Sequence, residues 1–461
     1  SLATGVGGAL VRPWVDEVPI RCEACDAEVR RVTEVGDVWL DAGIVPFSTL
    51  GWQNETWVDE GYGTGAAKGL TTADLPDHAY WETWFPADWV SEMREQIRLW
   101  FYSQLFMSVV LTGGAPYRKV LGYEKMLDEH GREMHGSWGN TIVAEDAFLR
   151  MGADVMRWQY CAQPPDRNLL FGFGPAQEIK RRLLTLWNST RFLVDYANIA
   201  AWSPTWDELE GGPAGELRPL DRWLVERTRE LVEDATDAYE RWLTVDVVRA
   251  FDGFVEDVSN WYIRRSRRRF WDGDAVAFGA LWHALATGVR VIAPVMPFLA
   301  DHLWRTLTAP CPEAPGSVFL AGWPHPPAPD RELLAEVAEV RAAVALGHQA
   351  RQSASLKVRQ PLRMLVVEGA PRAAAHADEI ADELRVKKVV FGHVEAELRV
   401  KPNLPLLGPQ LGKDLGSVRA ALAAGEFEEL GDGRFRAAGH DLAADEVLVE
   451  RAGKDGWAVA A

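Results

Sequence analysis

Several groups of residues in this 461-residue chain carry side chains suited to chemistry. Arg264, Arg265, Arg267, Arg268 and Arg269 are flanked by Trp261, Tyr262, Phe270 and Trp271. Guanidinium groups clamp phosphates and aromatic faces stack on unpaired bases, the combination by which single-stranded RNA loops are read. Positive charges at a helix end also complement its dipole, so a purely solvated face is the alternative. Some of these aromatics, Trp261 above all, are expected in a core. Cys22-Glu23-Ala24-Cys25 has the spacing of a zinc knuckle. A structural zinc takes four protein ligands, and neither Cys161 nor Cys311 lies in a comparable turn, so half a site is visible. An unmetallated turn with two ordinary thiols is the alternative.

Glu92, Glu95, Gln96 and Trp100 fall at i, i+3, i+4 and i+8, which predicts one helical face. A carboxylate there can hold an α-ammonium group, and Trp100 can wall an apolar pocket. Acids serving the helix dipole, with Trp100 as core, fit the same spacing. Further on, Gly131-Arg132-Glu133-Met134-His135-Gly136-Ser137-Trp138-Gly139-Asn140 is a glycine-rich turn. Arg132, His135, Ser137 and the turn N–H groups are donors for an anion; Glu133 would repel one. Without a ligand it is a solvated turn.

These groups need elements to position them. Residues 1–165 mix short β-like runs with helical stretches, as in an α/β region; Val109-Val110-Leu111 and Val120-Leu121-Gly122 are predicted strands. Residues 175–200 read as a helix with Ile179, Leu183, Leu184, Leu186 and Trp187 apolar. After the Gly211-Gly212-Pro213 loop, Leu220, Trp223, Leu224, Leu231, Ala235, Tyr239 and Trp242 form a second helical face. Val247, Phe251, Phe254, Val258 and Trp261 form a third. Tandem amphipathic helices of this kind imply a bundle. The proline-dense stretch 310–329 reads as a linker or extended arm. Beyond 331 a helix to about Gln352, strand-like 362–367 and 386–391, and a helix over 380–384 predict an α+β appendage. Leu398-Arg399-Val400-Lys401 is too short and charged to assign.

Length allows about two to four domains, each with its own core. No run reaches the roughly 18 consecutive apolar residues of a membrane helix, and no signal peptide is visible, which predicts a cytoplasmic chain without a membrane partner. Four scattered cysteines do not make a disulfide framework. The net charge of −18, from 49 basic and 67 acidic residues, disfavours non-specific nucleic-acid binding and leaves room for a local basic patch.

The turn's five positions, Glu133 to Ser137, stand where class I aminoacyl-tRNA synthetases have Lys-Met-Ser-Lys-Ser, usually followed by Leu-Gly-Asn. Asp37-Val38-Trp39-Leu40-Asp41-Ala42-Gly43 resembles the Asp-Val-Trp-Phe-Asp-Ser-Gly of isoleucyl-tRNA synthetases. Trp84-Phe85-Pro86-Ala87-Asp88 with Glu92, Glu95-Gln96, Arg98 and Trp100-Phe101-Tyr102 resembles their aminoacyl-adenylate segment. Gly152-Ala153-Asp154 with Arg157-Trp158 resembles the block that follows the loop, and Ser259-Asn260-Trp261-Tyr262-Ile263-Arg264-Arg265-Ser266-Arg267-Arg268-Arg269-Phe270-Trp271 resembles the family's anticodon-domain helix. Lys357-Val358-Arg359-Gln360-Pro361-Leu362, Lys401-Pro402-Asn403 and Leu407-Gly408-Pro409 resemble further blocks of the same synthetases. Order and spacing match from about residue 10 to beyond 410.

The resemblance implies the C-terminal portion of an isoleucyl-tRNA synthetase. Residues 1–165 would be the second half of a Rossmann-like α/β catalytic domain, 166–330 an all-α anticodon-binding bundle, and 331–461 a small α+β domain. It implies ATP with Mg2+, isoleucine and tRNA as ligands, and Zn2+ at Cys22 and Cys25 with a second cysteine pair upstream. Glu92, Gln96 and Trp100 would face the aminoacyl-adenylate; Glu133, Met134, His135, Gly136 and Ser137 would form the ATP loop, with Arg132, His135 and Ser137 catalytic. Arg264, Arg265, Arg267, Arg268, Arg269 and Trp271 would meet tRNA. Both loop lysines of the family are absent. Removing one such donor at developing phosphate charge costs about 3–4 kcal/mol. The family's His-x-Gly-His is also absent, so the chain alone is expected to be inactive. It would be a monomeric piece of a longer ligase, one half of a split ligase with a partner chain, or a catalytically silent tRNA-binding protein.

Overall fold

A computed structural model describes Asp16, residues 18–32, 38–48, Trp52, 79–453 and 456–460. The chain divides into two compact units, Ser1–Arg181 with Leu243–Val245, and Arg182–Trp242 with Asp246–Ala461. The first is the mixed α/β region. A hairpin of β1 (Ile20–Arg21) and β2 (Glu28–Val29) carries the cysteine turn. β3 (Val90–Met93) pairs in parallel with β4 (Val120–Tyr123), and β5 (Met126–Asp128) with β6 (Leu169–Phe171).

Val109-Val110-Leu111 is not a strand. It completes the helix Trp100–Thr112, which runs without a breaker until Gly113 adopts a left-handed cap at φ 74°. A short apolar run has no period of its own, and length decides between helix and strand. The face predicted from Glu92 to Trp100 is also broken. Pairing with β4 draws Glu92 into an extended strand, Gln96 lies in the 3-10 turn Arg94–Arg98, and Leu99 interrupts the helical path at φ −121°, ψ −104°. Against the helix Trp100–Thr112 packs the helix Val38–Gly43. A Cβ on Gly43 would sit 2.8 Å from the Ser103 carbonyl group, so only glycine permits this approach. Asp37 lies outside the described residues.

In the second unit the predicted helices form a bundle. The helix Phe173–Ala200 has Ile179, Leu183 and Leu186 buried while Leu184 and Trp187 remain exposed. Pro219–Glu240 starts with proline at its first turn and with Asp221 accepting a bond from the Arg218 N–H at 3.0 Å. Its predicted face is buried at Trp223, Leu224, Leu231 and Ala235. Thr244–Glu256 continues through a π-helical stretch, Asp257–Ile263, into Arg264–Trp271. The wider turn places Val258, Trp261 and Tyr262 in the core together.

Asp274 caps the next helix, Ala275–Ile292, accepting from the N–H groups of Val276 and Ala277. By length and mean hydropathy this helix could cross a membrane, although His283, Thr287 and Arg290 interrupt its apolar run. It is 89% buried as the centre of the bundle. Pro297–Thr308 follows, and the proline-dense stretch lies on the bundle as an arm. The Arg290 guanidinium donates to the carbonyls of Ala321 and Gly322, and the Trp323 indole to Thr236.

Arg331–Ser353, capped by Asp330, leads into the α+β part of the same unit. β7 (Leu365–Val367) and β8 (Val389–Phe391) pair in parallel around the helix Ala377–Leu384. The unassigned 398–401 segment belongs to β9 (Ala396–Pro402), which pairs antiparallel with β13 (Val447–Gly453). β10 (Phe427–Gly431), β11 (Arg434–Ala437) and β12 (His440–Leu442) form a meander. Val400, Leu407, Val418, Leu422, Phe435 and Val447 form this region's core.

A buried ion pair ties the bundle's helices together. Asp221, fully buried, accepts from Arg269 at 2.6 and 2.8 Å and from the Tyr262 hydroxyl at 2.7 Å. Asp221→Ala leaves Arg269 with Asp274 alone and takes the carboxylate from the Tyr262 hydroxyl, and should cost about 3–5 kcal/mol. Urea unfolding should show a lower midpoint with unchanged slope; a loss below about 1 kcal/mol would contradict this role.

Candidate functional site

The glycine-rich turn is built around a carboxylate that the sequence reading left unassigned. Asp128 Oδ1 accepts from the backbone N–H groups of His130 and Arg132, each at 2.9 Å. Oδ2 accepts from the Arg132 guanidinium at 3.1 Å and from the Asn140 amide at 3.0 Å. Asn140 closes the far side, donating to the Glu133 carbonyl at 2.9 Å and accepting from the His135 N–H at 3.0 Å. The Asn140 amide first, and the Arg132 and His130 N–H groups with the Arg132 charge, hold the Asp128 carboxyl well below the usual carboxylate range. Gly131 at φ 78° and Gly139 at φ 70° make the two bends. An aspartate two residues before the first bond it accepts is an Asx-turn signal, the cue that would have singled out Asp128.

The structure brings Arg132, Glu133, Met134, His135, Gly136 and Ser137 together on this loop. Met134 is half-buried and the others are exposed. Gly136 and Ser137 open the 3-10 turn Gly136–Trp138, and His135 packs edge-on against Trp138 at 4.4 Å. Glu133 is not free to repel an anion unopposed. Lys125 reaches it at 3.1 Å and His135 at 3.3 Å. The Lys125 bond first, then His135, lowers the Glu133 pKa, and the same Lys125–Glu133 bond raises that of Lys125. Lys125 thus puts an ammonium beside the position where the family carries its first loop lysine.

Of the expected adenylate residues, Glu92 lies opposite Gly122 in the β3–β4 pair and accepts a bond from the Tyr123 hydroxyl at 3.3 Å. Burial first, and the Glu92 charge second, raises the Tyr123 pKa. Gln96 Oε1 accepts from the Trp100 N–H at 3.1 Å and so caps that helix, and the Trp100 indole donates to the Ala42 carbonyl at 3.0 Å. Both side chains are half-buried and have structural work in this arrangement.

Cys22 and Cys25 sit in the β1–β2 turn, closed by bonds from the Cys22 N–H to the Ala27 carbonyl and from the Asp26 N–H to the Cys22 carbonyl. Bonds from the Ala24 and Cys25 backbone lower the Cys22 thiol pKa, an environment that favours thiolate. No group of three or more metal-binding side chains gathers among the described residues. The pair fits half of a zinc site and does not make one by itself.

The basic cluster is divided by the fold. Arg264 pairs with Glu383 at 2.7 Å, and Arg265 with Glu383 and Glu379. Arg269 is taken up by Asp221 and Asp274. Arg267 and Arg268 point no such charge inward: both are exposed, with Arg268 3.9 Å from Asp272. Trp271 is 63% exposed, its indole donating to the Tyr196 hydroxyl. Trp261, 6% exposed, is core as expected.

Comparison with known proteins places both regions. Residues 55–171 match the family described as tRNA synthetases class I (I, L, M and V), and residues 221–366 the anticodon-binding domain of tRNA ligase. The isoleucine–tRNA ligase of Thermus thermophilus is 37% identical over 432 residues, covering 89% of this chain and 39% of the relative. That of Thermobifida fusca is 36% identical over 485 residues, covering 97% and 43%. Among solved structures, an Agrobacterium radiobacter agnB2 LeuRS–tRNA–LeuAMS complex superposes with a TM-score of 0.50 at 16% identity. It covers 70% of this chain and 36% of that one, a likeness of fold alone. The chain spans about two fifths of the length of the curated relatives it matches. With both family regions in order and this identity along nearly its whole length, the chain belongs to the class I aminoacyl-tRNA synthetases, in the isoleucyl branch.

Proposed function

We propose that the chain supplies the second half of the ATP site and the tRNA-binding portion of an isoleucine–tRNA ligase. Residues 1–165 act as the catalytic half, 166–330 as the anticodon-binding bundle and 331–461 as a C-terminal appendage. The observation that carries this reading is the exposed loop ordered around Asp128, which stands in the frame of the family's nucleotide loop. Arg132, His135, Ser137 and the N–H groups of Gly136 and Ser137 would meet the triphosphate of ATP, which Mg2+ accompanies. Donors fixed before the substrate arrives cost no reorganisation as charge develops. Lys125 neutralises Glu133 and so removes its repulsion of an anion there. Glu92, on its strand, would hold the α-ammonium of isoleucine, leaving the carboxylate to attack the α-phosphate. Transfer to tRNA completes the reaction in the intact ligase. Cys22 and Cys25 would contribute two thiolates to a zinc site completed by other ligands, and no catalytic step runs through it.

A second reading, a tRNA-binding protein without ligase activity, is favoured by Glu133 and Gly136 at both lysine positions. Isoleucine-dependent exchange of pyrophosphate into ATP separates the two. The 461-residue chain alone should give none, and exchange well above background would overturn that expectation. In a ligase that includes the upstream catalytic half, activity supports the first reading and silence the second.

Binding to RNA should not depend on that half. Isoleucine tRNA should bind with an affinity that falls as salt rises. Arg267→Ala with Arg268→Ala should flatten the slope by about 0.7–0.9 for each phosphate no longer neutralised. Trp271→Ala should narrow the preference over a tRNA with another anticodon. Unchanged slope and preference in both variants would remove the arginine run from the RNA surface.

The loop's order is testable without substrate. Asp128→Ala should abolish hydrogen-exchange protection at the His130, Arg132 and His135 amides. In the unaltered chain the Asp128 pKa is depressed, so its contribution is complete above the ordinary carboxylate pKa and is lost only as pH falls through the lower folded value. Protection, corrected for intrinsic exchange, should therefore persist at about pH 4. Its disappearance near pH 4 would contradict the role given to Asp128.

A further inference from the structure

The nucleotide loop carries an acid and a glycine where the family has its two lysines, yet an ammonium reaches it from outside the motif. Lys125 lies in the short segment that joins β4 to β5. That segment is fixed by its backbone: the Leu169 N–H donates to the Lys125 carbonyl at 2.9 Å, and the Glu124 N–H to the Pro165 carbonyl at 3.0 Å. A bridge between Leu127 and Glu133 folds the loop back along β5, which brings position 133 beside residue 125. Lys125 Nζ then lies 3.1 Å from Glu133 Oε1. A lysine at 133 would bring its ammonium to this same region. The positive charge that the family mounts on the loop is here mounted on the strand, and the loop carries the acid.

The loop does not need this ion pair for its shape. Asp128 and Asn140 already hold both bends, and Asn140 donates to the Glu133 carbonyl itself. The pair is also free to exchange, because the Lys125 and Glu133 side chains are 47% and 52% exposed and ion pairs in water are weak. His135 stays on the other Glu133 oxygen at 3.3 Å, so the carboxylate keeps a partner when the ammonium turns away. Lysine suits such a turn, with a compact charge and three donors on a flexible stem. Its neighbours place it between the two halves of the substrate site. Two residues earlier, Tyr123 donates its hydroxyl to Glu92 at 3.3 Å. The Glu133 bond first, and the more distant Glu95 and Glu124 charges after it, keep Lys125 protonated. One short segment thus meets the adenylate residues through Tyr123 and the nucleotide loop through Lys125.

We propose that Lys125 is a catalytic residue of amino-acid activation: it leaves Glu133 and binds the triphosphate of ATP, taking over the work of the missing loop lysine. This rests on the ligase reading and names the side chain that restores the lost charge. Attack by the isoleucine carboxylate forms a bond to the α-phosphorus while the bond to pyrophosphate breaks. Lys125 passes no proton in that step. Its ammonium stabilises the negative charge that develops on the phosphate oxygens. Glu133 is its resting partner, which holds the side chain beside the loop until the nucleotide arrives.

The test is isoleucine-dependent pyrophosphate exchange in a ligase that includes the upstream catalytic half. Lys125→Met alone would strand Glu133 beside the phosphates, so the deciding variant is Lys125→Met with Glu133→Gln, which removes both charges. Its kcat should fall about a hundredfold, the loss expected for one donor at developing charge, with the KM for isoleucine unchanged. Glu133→Gln alone should be at least as active as the unaltered ligase. Lys125→Met with Glu133→Lys returns an ammonium to the loop and should recover about tenfold or more of the loss. Each variant should keep the unfolding midpoint and the amide protection of His130 and Arg132; loss of either would make Lys125 a structural residue. If Lys125 only balances Glu133, the variant without both charges works as well as the unaltered ligase, and the proposal is overturned. It is overturned too if Glu133→Gln alone is equally impaired, or if Glu133→Lys restores nothing. An unaltered ligase without exchange removes the ligase reading and this proposal together; an active one indifferent to the loss of both charges removes this proposal alone.

Discussion

The Asp221–Arg269 ion pair decides how this molecule uses its positive charge. A carboxylate and a guanidinium removed from water are stable only if every lone pair and N–H finds a partner. Here Asp221 also takes the Tyr262 hydroxyl and the Arg218 N–H, filling its acceptor sites, and Arg269 also reaches Asp274. Asp274 in turn caps Ala275–Ile292, the helix at the centre of the bundle. One pair therefore joins the starts of two helices to the end of a third. Tyr262, buried first and beside Asp221 second, has its pKa pushed far up, so it stays a donor throughout the working range.

With Arg269 committed to the bundle, and Arg264 and Arg265 committed to Glu383 and Glu379, the arginine run leaves Arg267 and Arg268 turned to solvent. A charge run in sequence thus overstates the charge on the surface. The converse holds at 357–363 and 385–388, where cations far apart in sequence gather without acids because β7 and β8 run in parallel and the Leu362–Val386 bridge extends the pair. The catalytic-type unit shows the same economy at its loop, where Lys125 and Glu133 neutralise each other and Asp128 is spent on shape.

Elements with a clear period were legible. The faces at Trp223–Ala235 and Val247–Trp261 read directly as helices, because burial of one stripe is a local property. The loop's frame was legible from its glycines and polar residues, and the cysteine turn from its spacing. What failed lacked a local cause. Val109–Leu111 is helix because of what precedes it, and Glu92 is strand because β4 lies beside it. Leu398–Lys401 is strand because β13 arrives from some fifty residues later. Gln96 and Trp100 satisfied a helical spacing by coincidence, and their bonds to the helix start and to Ala42 show what holds them. The partners of Arg264 and Arg269, separated by 119 and 48 positions, leave no trace in the run itself.

The central claim is that Arg269 serves the fold and not the RNA. The double variant Asp221→Leu with Arg269→Met removes both charges together and replaces them with apolar groups, a change that buried pairs often tolerate. Measured against isoleucine tRNA alongside the unaltered chain, it should bind with the same affinity and the same salt slope while unfolding cooperatively. A folded double variant whose affinity drops tenfold and whose slope falls by about 0.7–0.9 would show that Arg269 reaches a phosphate, and would contradict the account.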